Sequence, residues 1–123
     1  MRYYELKGLE ICARFENLNC SNEIVTSDSY FKEFIIKAIE EVCLTPLNYS
    51  GYNFLEGGLG FSSCVILAES HVAIHTWPEF NSLTLNIFVC NYNTDNTEKC
   101  INLFNKFVEL FKPGFIRKEH IQL

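Results

Sequence analysis

The sequence predicts an α+β fold, a two-layer sandwich in which one mainly antiparallel sheet carries two helices on one face. Three observations predict it. Segments 28–43 and 97–111 place apolar residues at helical spacing. Segments 72–77 and 83–90 alternate with period two. The elements follow in the order β-α-β-β-β-β-α-β, which implies one sheet with both helices on the same side. At 123 residues, 48% of them hydrophobic, the chain has the length of one domain, 1–123, and enough apolar material for its core.

Each element has its own justification. Leu9 to Phe15 alternates imperfectly and reads as the first strand, with a polar loop at Asn17 to Ser21. Phe31, Phe34, Ile35, Ala38, Ile39 and Val42 form one stripe of an amphipathic helix over 28–43. Ser27 or Asp28 can cap its start, and Pro46 rules out its continuation. Leu47 to Phe54 reads as a strand. The connector Glu56-Gly57-Gly58-Leu59-Gly60 relaxes the backbone before the strand Phe61 to Ala68. Val72, Ile74 and Thr76 share one face of the next strand, with Ala73, His75 and Trp77 on the other. Leu83, Leu85, Ile87 and Val89 likewise oppose Thr84, Asn86, Phe88 and Cys90.

After the polar stretch Asn91 to Asn96, Asp95 and Glu98 resemble a capping box. The second helical stripe is Thr97, Cys100, Ile101, Phe104, Phe107, Val108 and Phe111, stopped by Pro113-Gly114. Phe115 to Leu123 is the last strand. No internal repeat is visible.

Composition excludes several functions. A net charge of −5 argues against a nucleic-acid partner. Ten acids against five bases precede Ser70, and five of each follow from there. That excess suits a cationic substrate, and solubility explains it equally. No run reaches the roughly 18 apolar residues of a membrane span. Met1 to Lys7 lacks an apolar signal core, so a cytoplasmic protein is expected. The six cysteines form no Cys-x-x-Cys pair and are read as free thiols, with no metal site. Cys12, Cys43, Cys64 and Cys100 fall among apolar residues and read as small buried hydrophobes.

Chemistry concentrates between Ser62 and Cys90. An apolar strand runs into Glu69, Ser70 and His71, His75 and Trp77 follow, and the next strand delivers Cys90. Polar groups so close to apolar strands need partners or a task. The run Glu69-Ser70-His71 with Ile74-His75-Thr76-Trp77-Pro78-Glu79 resembles the processing site of the small bacterial and archaeal S-adenosylmethionine decarboxylases, pyruvoyl-dependent proenzymes of polyamine synthesis. Ser62, eight residues before Ser70, and Cys90, twenty after it, occupy the places of the family's further serine and its catalytic cysteine. The likeness covers nearly all of the chain and weakens toward both ends.

The resemblance implies self-cleavage between Glu69 and Ser70 into 1–69 (β chain) and 70–123 (α chain). Ser70 then becomes a covalent pyruvoyl group, with neither metal nor pyridoxal phosphate. In processing, His75 accepts the α-proton and Ser62 supports the intermediate. In catalysis the pyruvoyl carbonyl forms a Schiff base with the substrate amine and accepts electrons as carbon dioxide leaves. Cys90 returns a proton to the substrate carbon. A surface serine, a hydrogen-bonded histidine and a core thiol are the plainer readings of the same residues taken singly. Glu79 matches the acid that holds the ribose. Trp77 lines the pocket or half-fills the core, and His71 contacts substrate or braces the site. A second protomer covers the open sheet face, giving a homodimer.

The chain departs from the family pattern at several places. Glu10 stands where the family tends to have a histidine, and Asn86 where an aspartate is common. Glu56 falls near the position that stacks on adenine, with Phe54 close by as a substitute. Three functions therefore compete: decarboxylation of S-adenosylmethionine, decarboxylation of arginine or ornithine with Glu10 and Glu56 facing the cationic end, and a non-catalytic regulatory relative.

Overall fold

The computed structural model describes residues 7–92 and 94–123. The Met1 to Lys7 reading therefore falls, apart from Lys7, outside the described residues. Six strands, β1 (Gly8–Leu18), β2 (Pro46–Asn53), β3 (Phe61–Leu67), β4 (Ser70–Trp77), β5 (Ser82–Cys90) and β6 (Pro113–Gln122), form one sheet in the order β2-β3-β4-β5-β1-β6. Every neighbouring pair is antiparallel. The helices are α1 (Asn22–Thr26), α2 (Asp28–Glu41) and α3 (Thr97–Phe111). The expected α+β sandwich is the observed one. The short α1 and a 3-10 turn at Pro78–Phe80 were not foreseen. Both are too short to show a helical period.

The core lies between the sheet and the two long helices. Alternation sends Phe61, Val65 and Leu67 of β3, Val72 and Ile74 of β4, and Leu83, Leu85, Ile87 and Val89 of β5 to the helix side, where all are buried. Phe31 of α2 is fully buried and sits 5.4 Å from Phe61, 5.9 Å from Phe107 and 6.4 Å from Phe111 by ring centroids. This aromatic cluster ties both helices to the sheet, and each such ring contributes about 1.5–3 kcal/mol by burial. Ser27 caps α2 by accepting the Tyr30 N–H at 3.1 Å. Asp28, the first residue of that helix, instead accepts from the Tyr49 hydroxyl of β2. A Cβ on Gly51 would lie 2.0 Å from the Asp28 carboxylate, so only glycine lets β2 pass this close.

Some expectations need correction. Cys64 is exposed because it alternates with buried Ser63 and Val65, and Cys43 is exposed because α2 has already ended before it. Cys12 is half-buried on the side away from the helices, so of the four thiols only Cys100 is buried. In α3, Leu103 is buried and Ile101 is 38% exposed, the reverse of the expected stripe. At its start, Asn96 is the cap residue, and Asp95 accepts the Thr97 N–H at 3.0 Å. Among the described residues no helix is long and apolar enough to cross a membrane.

Candidate functional site

The face of the sheet opposite the helices carries most of the chemistry. Antiparallel registers align its side chains in rows across the strands. One row is Ser62, His75, Thr84 and Arg14. The next is Cys64, Ala73, Asn86 and Cys12, and the third is Ile66, His71, Phe88 and Glu10. Rows are two residues apart along each strand, about 7 Å.

In the first row, Ser62 Oγ and His75 Nδ1 are 2.7 Å apart. Paired positions on neighbouring antiparallel strands put the two side chains side by side. His75 of this pair lines a cavity of about 400 Å³ with Cys12, Arg14, Thr84, Asn86, Arg117 and Glu119 at its walls. Toward the Trp77 end a second depression, about 560 Å³, is lined by Arg14, Glu16, Trp77, Phe80, Ser82 and Thr84. Trp77 is 45% exposed and so lines this depression rather than filling the core.

In the third row, His71 Nε2 and Asn86 Oδ1 are 2.8 Å apart, and Asn86 Nδ2 donates to Glu10 Oε2 at 2.8 Å. The His71 ring stacks on Phe88 at 5.7 Å. Glu10 and Asn86, read from the sequence as separate departures, are thus hydrogen-bonded to each other. The sequence carried no signal of this, because the residues are 76 positions apart.

Ser70 stands at the other end of β4 from His75. It heads the strand after the two-residue connection Ala68-Glu69, which joins Leu67 to Ser70 as a ladder pair. Glu69 adopts φ 60, a left-handed conformation that costs a non-glycine residue roughly 1–2 kcal/mol. The Ser70 side chain points to the helix side and is 8% exposed, and its Oγ accepts the Cys90 N–H at 3.1 Å. The Cys90 carbonyl accepts from Asn96 Nδ2 at 2.8 Å. Cys90 and Glu69 line a cleft of about 220 Å³ bounded by Cys43, Leu44, Thr45, Thr94, Asn96 and Lys99.

The structure therefore brings the predicted residues together as two groups. Ser62 and His75 form one, and Glu69, Ser70 and Cys90 form the other. Five residues of extended strand separate His75 from Ser70, about 17 Å. The expectation that Ser62 and His75 act on Ser70 is not met within one chain.

The remaining candidates scatter. Glu79 lies in the 3-10 turn, and a Cβ on Gly58 would sit 2.3 Å from its carboxylate, so the glycine connector packs directly over this acid. Phe54 is 47% exposed and meets Tyr52 edge-on at 5.2 Å. Glu56 is exposed at the tip of the same connector. It leaves from the Trp77 end of β3, whereas Glu10 lies toward the Ser70 end of β1, three strand spacings or about 14 Å across the sheet. The two acids do not converge on one cationic group within a chain.

Comparison with known proteins matches this sequence and architecture. The model of the S-adenosylmethionine decarboxylase family matches residues 13–121. The S-adenosylmethionine decarboxylase proenzyme of Archaeoglobus fulgidus is 32% identical over 97 residues, 77% of this chain and 80% of that protein. The proenzyme of the same name from Aeropyrum pernix is 29% identical over 112 residues, 90% of this chain and 79% of that one. The crystal structure of the adenosylmethionine decarboxylase from Aquifex aeolicus superposes with a TM-score of 0.81 over 95% of this chain and 90% of that one, at 23% identity, and so shares the fold.

Proposed function

The chain belongs to the S-adenosylmethionine decarboxylase family, and we propose that it is made as a proenzyme, cuts itself between Glu69 and Ser70, and decarboxylates S-adenosylmethionine. The observation that carries this reading is the junction itself. A serine hydroxyl held by the Cys90 N–H follows a residue in strained left-handed conformation, and a thiol-lined cleft opens beside it.

Ser70 Oγ adds to the Glu69 carbonyl carbon, and the peptide bond is replaced by an ester. A base removes the Ser70 α-proton. Elimination breaks the Cβ–Oγ bond and releases fragment 1–69 with its carboxylate. Water then converts the dehydroalanine left on 70–123 to a pyruvoyl group, with loss of ammonia. Such a group supplies a carbonyl that draws electrons from the substrate as carbon dioxide leaves. The confined junction between Cys90 and Glu69 suits it. Cys90 returns a proton to the substrate carbon. Trp77, Phe54 and Glu79 lie at the His75 end of the sheet, so they supply aromatic surface and an acid for the adenosyl end from the second copy, as His75 does.

The base is His75 with Ser62, and the separation of about 17 Å along β4 makes it the His75 of a second copy. A two-fold axis running across the strands lays one open face on the other and swaps their ends. The pair of one copy then meets the junction of the other. Exposed Ile66, Trp77, Phe115 and Ile121 on that face favour such burial. The protein acts in the cytoplasm, and its product is the aminopropyl donor for spermidine synthesis. The curated relatives described above are named for S-adenosylmethionine, and Glu10 is already engaged by Asn86, so arginine and ornithine are not favoured. The catalytic reading likewise displaces that of a regulatory relative, since each processing residue is present.

The test is the intact mass of the purified chain together with carbon dioxide release from S-adenosylmethionine, arginine and ornithine. Fragments 1–69 and 70–123 and release from S-adenosylmethionine alone are expected. A chain that stays whole and still decarboxylates would overturn self-cleavage. Release from arginine or ornithine alone would overturn the substrate.

A further inference from the structure

Asn86 lies between a carboxylate and an imidazole, and that position decides which imidazole nitrogen carries the proton. Asn86 Nδ2 is 2.8 Å from Glu10 Oε2 and 3.2 Å from Cys12 Sγ. An ionised carboxylate only accepts hydrogen bonds, so the amide cannot turn its oxygen toward Glu10 without facing oxygen to oxygen. Its NH2 group is committed to Glu10, and its Oδ1 is committed to His71 Nε2 at 2.8 Å. An amide oxygen only accepts, so Nε2 must carry hydrogen. In the neutral ring Nδ1 is then bare. Among the described residues Nδ1 has no hydrogen-bond partner.

We propose that Glu10 and Asn86 are positioning residues that hold His71 as its Nε2–H tautomer, so that Nδ1 is left as a hydrogen-bond acceptor on the open face of the sheet, one residue along β4 from Ser70. A ligand can meet that nitrogen with an N–H or ammonium donor and not with a carbonyl or carboxylate oxygen. The Phe88 ring stacked against the imidazole limits its rotation out of this arrangement. The assignment rests on the decarboxylase reading only in naming the donor, which is the substrate's amine. The protonation form is read without turnover, so either can fail without the other.

The experiment is nitrogen NMR of the imidazoles in the full chain carrying Ser70→Ala, at about pH 8, where imidazoles are ordinarily neutral. With three histidines in the chain, single substitutions assign the signals. The His71 ring should show a protonated Nε2 and a bare Nδ1. Adding Glu10→Lys replaces the acceptor by a donor, which turns the Asn86 amide over and moves the bare-nitrogen signal from Nδ1 to Nε2. Adding Asn86→Asp to that variant restores an acceptor opposite Nε2, and the original pattern should return. A bare Nε2 in the starting chain overturns the proposal. So does a tautomer that ignores Glu10→Lys. If Glu10→Lys does not fold, Asn86→Leu replaces it, and the single-tautomer pattern should give way to a mixture. An unchanged pattern there also overturns the proposal.

Discussion

Ser62 Oγ and His75 Nδ1 lie 2.7 Å apart on the open face of the sheet, at the end of β4 remote from Ser70. Within its own chain this serine–imidazole pair does not reach the Ser70 junction. The pairing and the distance together are why the proposed mechanism draws on a second copy.

Complementation tests that directly. His75→Ala and Ser70→Ala chains should each stay whole when made alone. Co-expressed, the His75→Ala chain should be cut, because the Ser70→Ala partner lends it His75. Mass spectrometry separates the two chains by their substitutions. Failure of the mixture to cleave, with dimers present by size-exclusion chromatography, would falsify the shared site.

Cys90 is held at the junction by its own backbone, which donates to Ser70 Oγ and accepts from Asn96. Neither bond uses the thiol, so Cys90→Ala should leave the fold and much of the cleavage intact. Turnover should drop by about 10²–10⁴-fold, the usual cost of losing a proton-transfer group. Full activity would remove the thiol from the reaction.

Thr76 is a buried hydroxyl with two partners. It donates to the Val25 carbonyl at 2.7 Å and accepts the Phe61 N–H at 2.9 Å, tying α1 to β3 and β4. Thr76→Val keeps the shape and strands both backbone groups. A loss of about 1–3 kcal/mol per stranded group is expected in urea denaturation. A midpoint unchanged from the parent would show that the hydroxyl contributes no net stability.

The cysteines should separate by burial. Cys43 and Cys64 are exposed and should be alkylated first in the native chain, whereas fully buried Cys100 should stay protected until unfolding. Burial pushes the Cys100 thiol up to about 12 from its ordinary 9.0. A raised folded value favours the neutral thiol, so its contribution to stability is complete below about pH 9 and is lost as pH rises toward the folded value. Stability measured across that alkaline window should fall less steeply in Cys100→Ala than in the parent.

Much of this was legible in the sequence. Period two in β4 and β5 and period 3.6 in α2 and α3 name the buried faces, because burial itself imposes those periods, although the α3 stripe took exposed Ile101 and passed over buried Leu103. The chemical motif and its spacings were legible too, since they are local strings. Position in space was not. Strands β1 and β6 are far apart in sequence yet adjacent in the sheet, and only long-range hydrogen bonding decides that β1 enters between β5 and β6. The same pairing joins Glu10 to Asn86 and so turns two isolated oddities into one array with His71. Cys64 was misjudged because the residue types around it do not say which face of β3 meets the helices. Most tellingly, His75 is five positions from Ser70 and belongs to the same motif, yet an extended strand turns that short interval into about 17 Å. Sequence determined which residues are the candidates for the chemistry, and the rigid geometry of a β-strand decided that Ser62 and His75 lie apart from Ser70 within one chain.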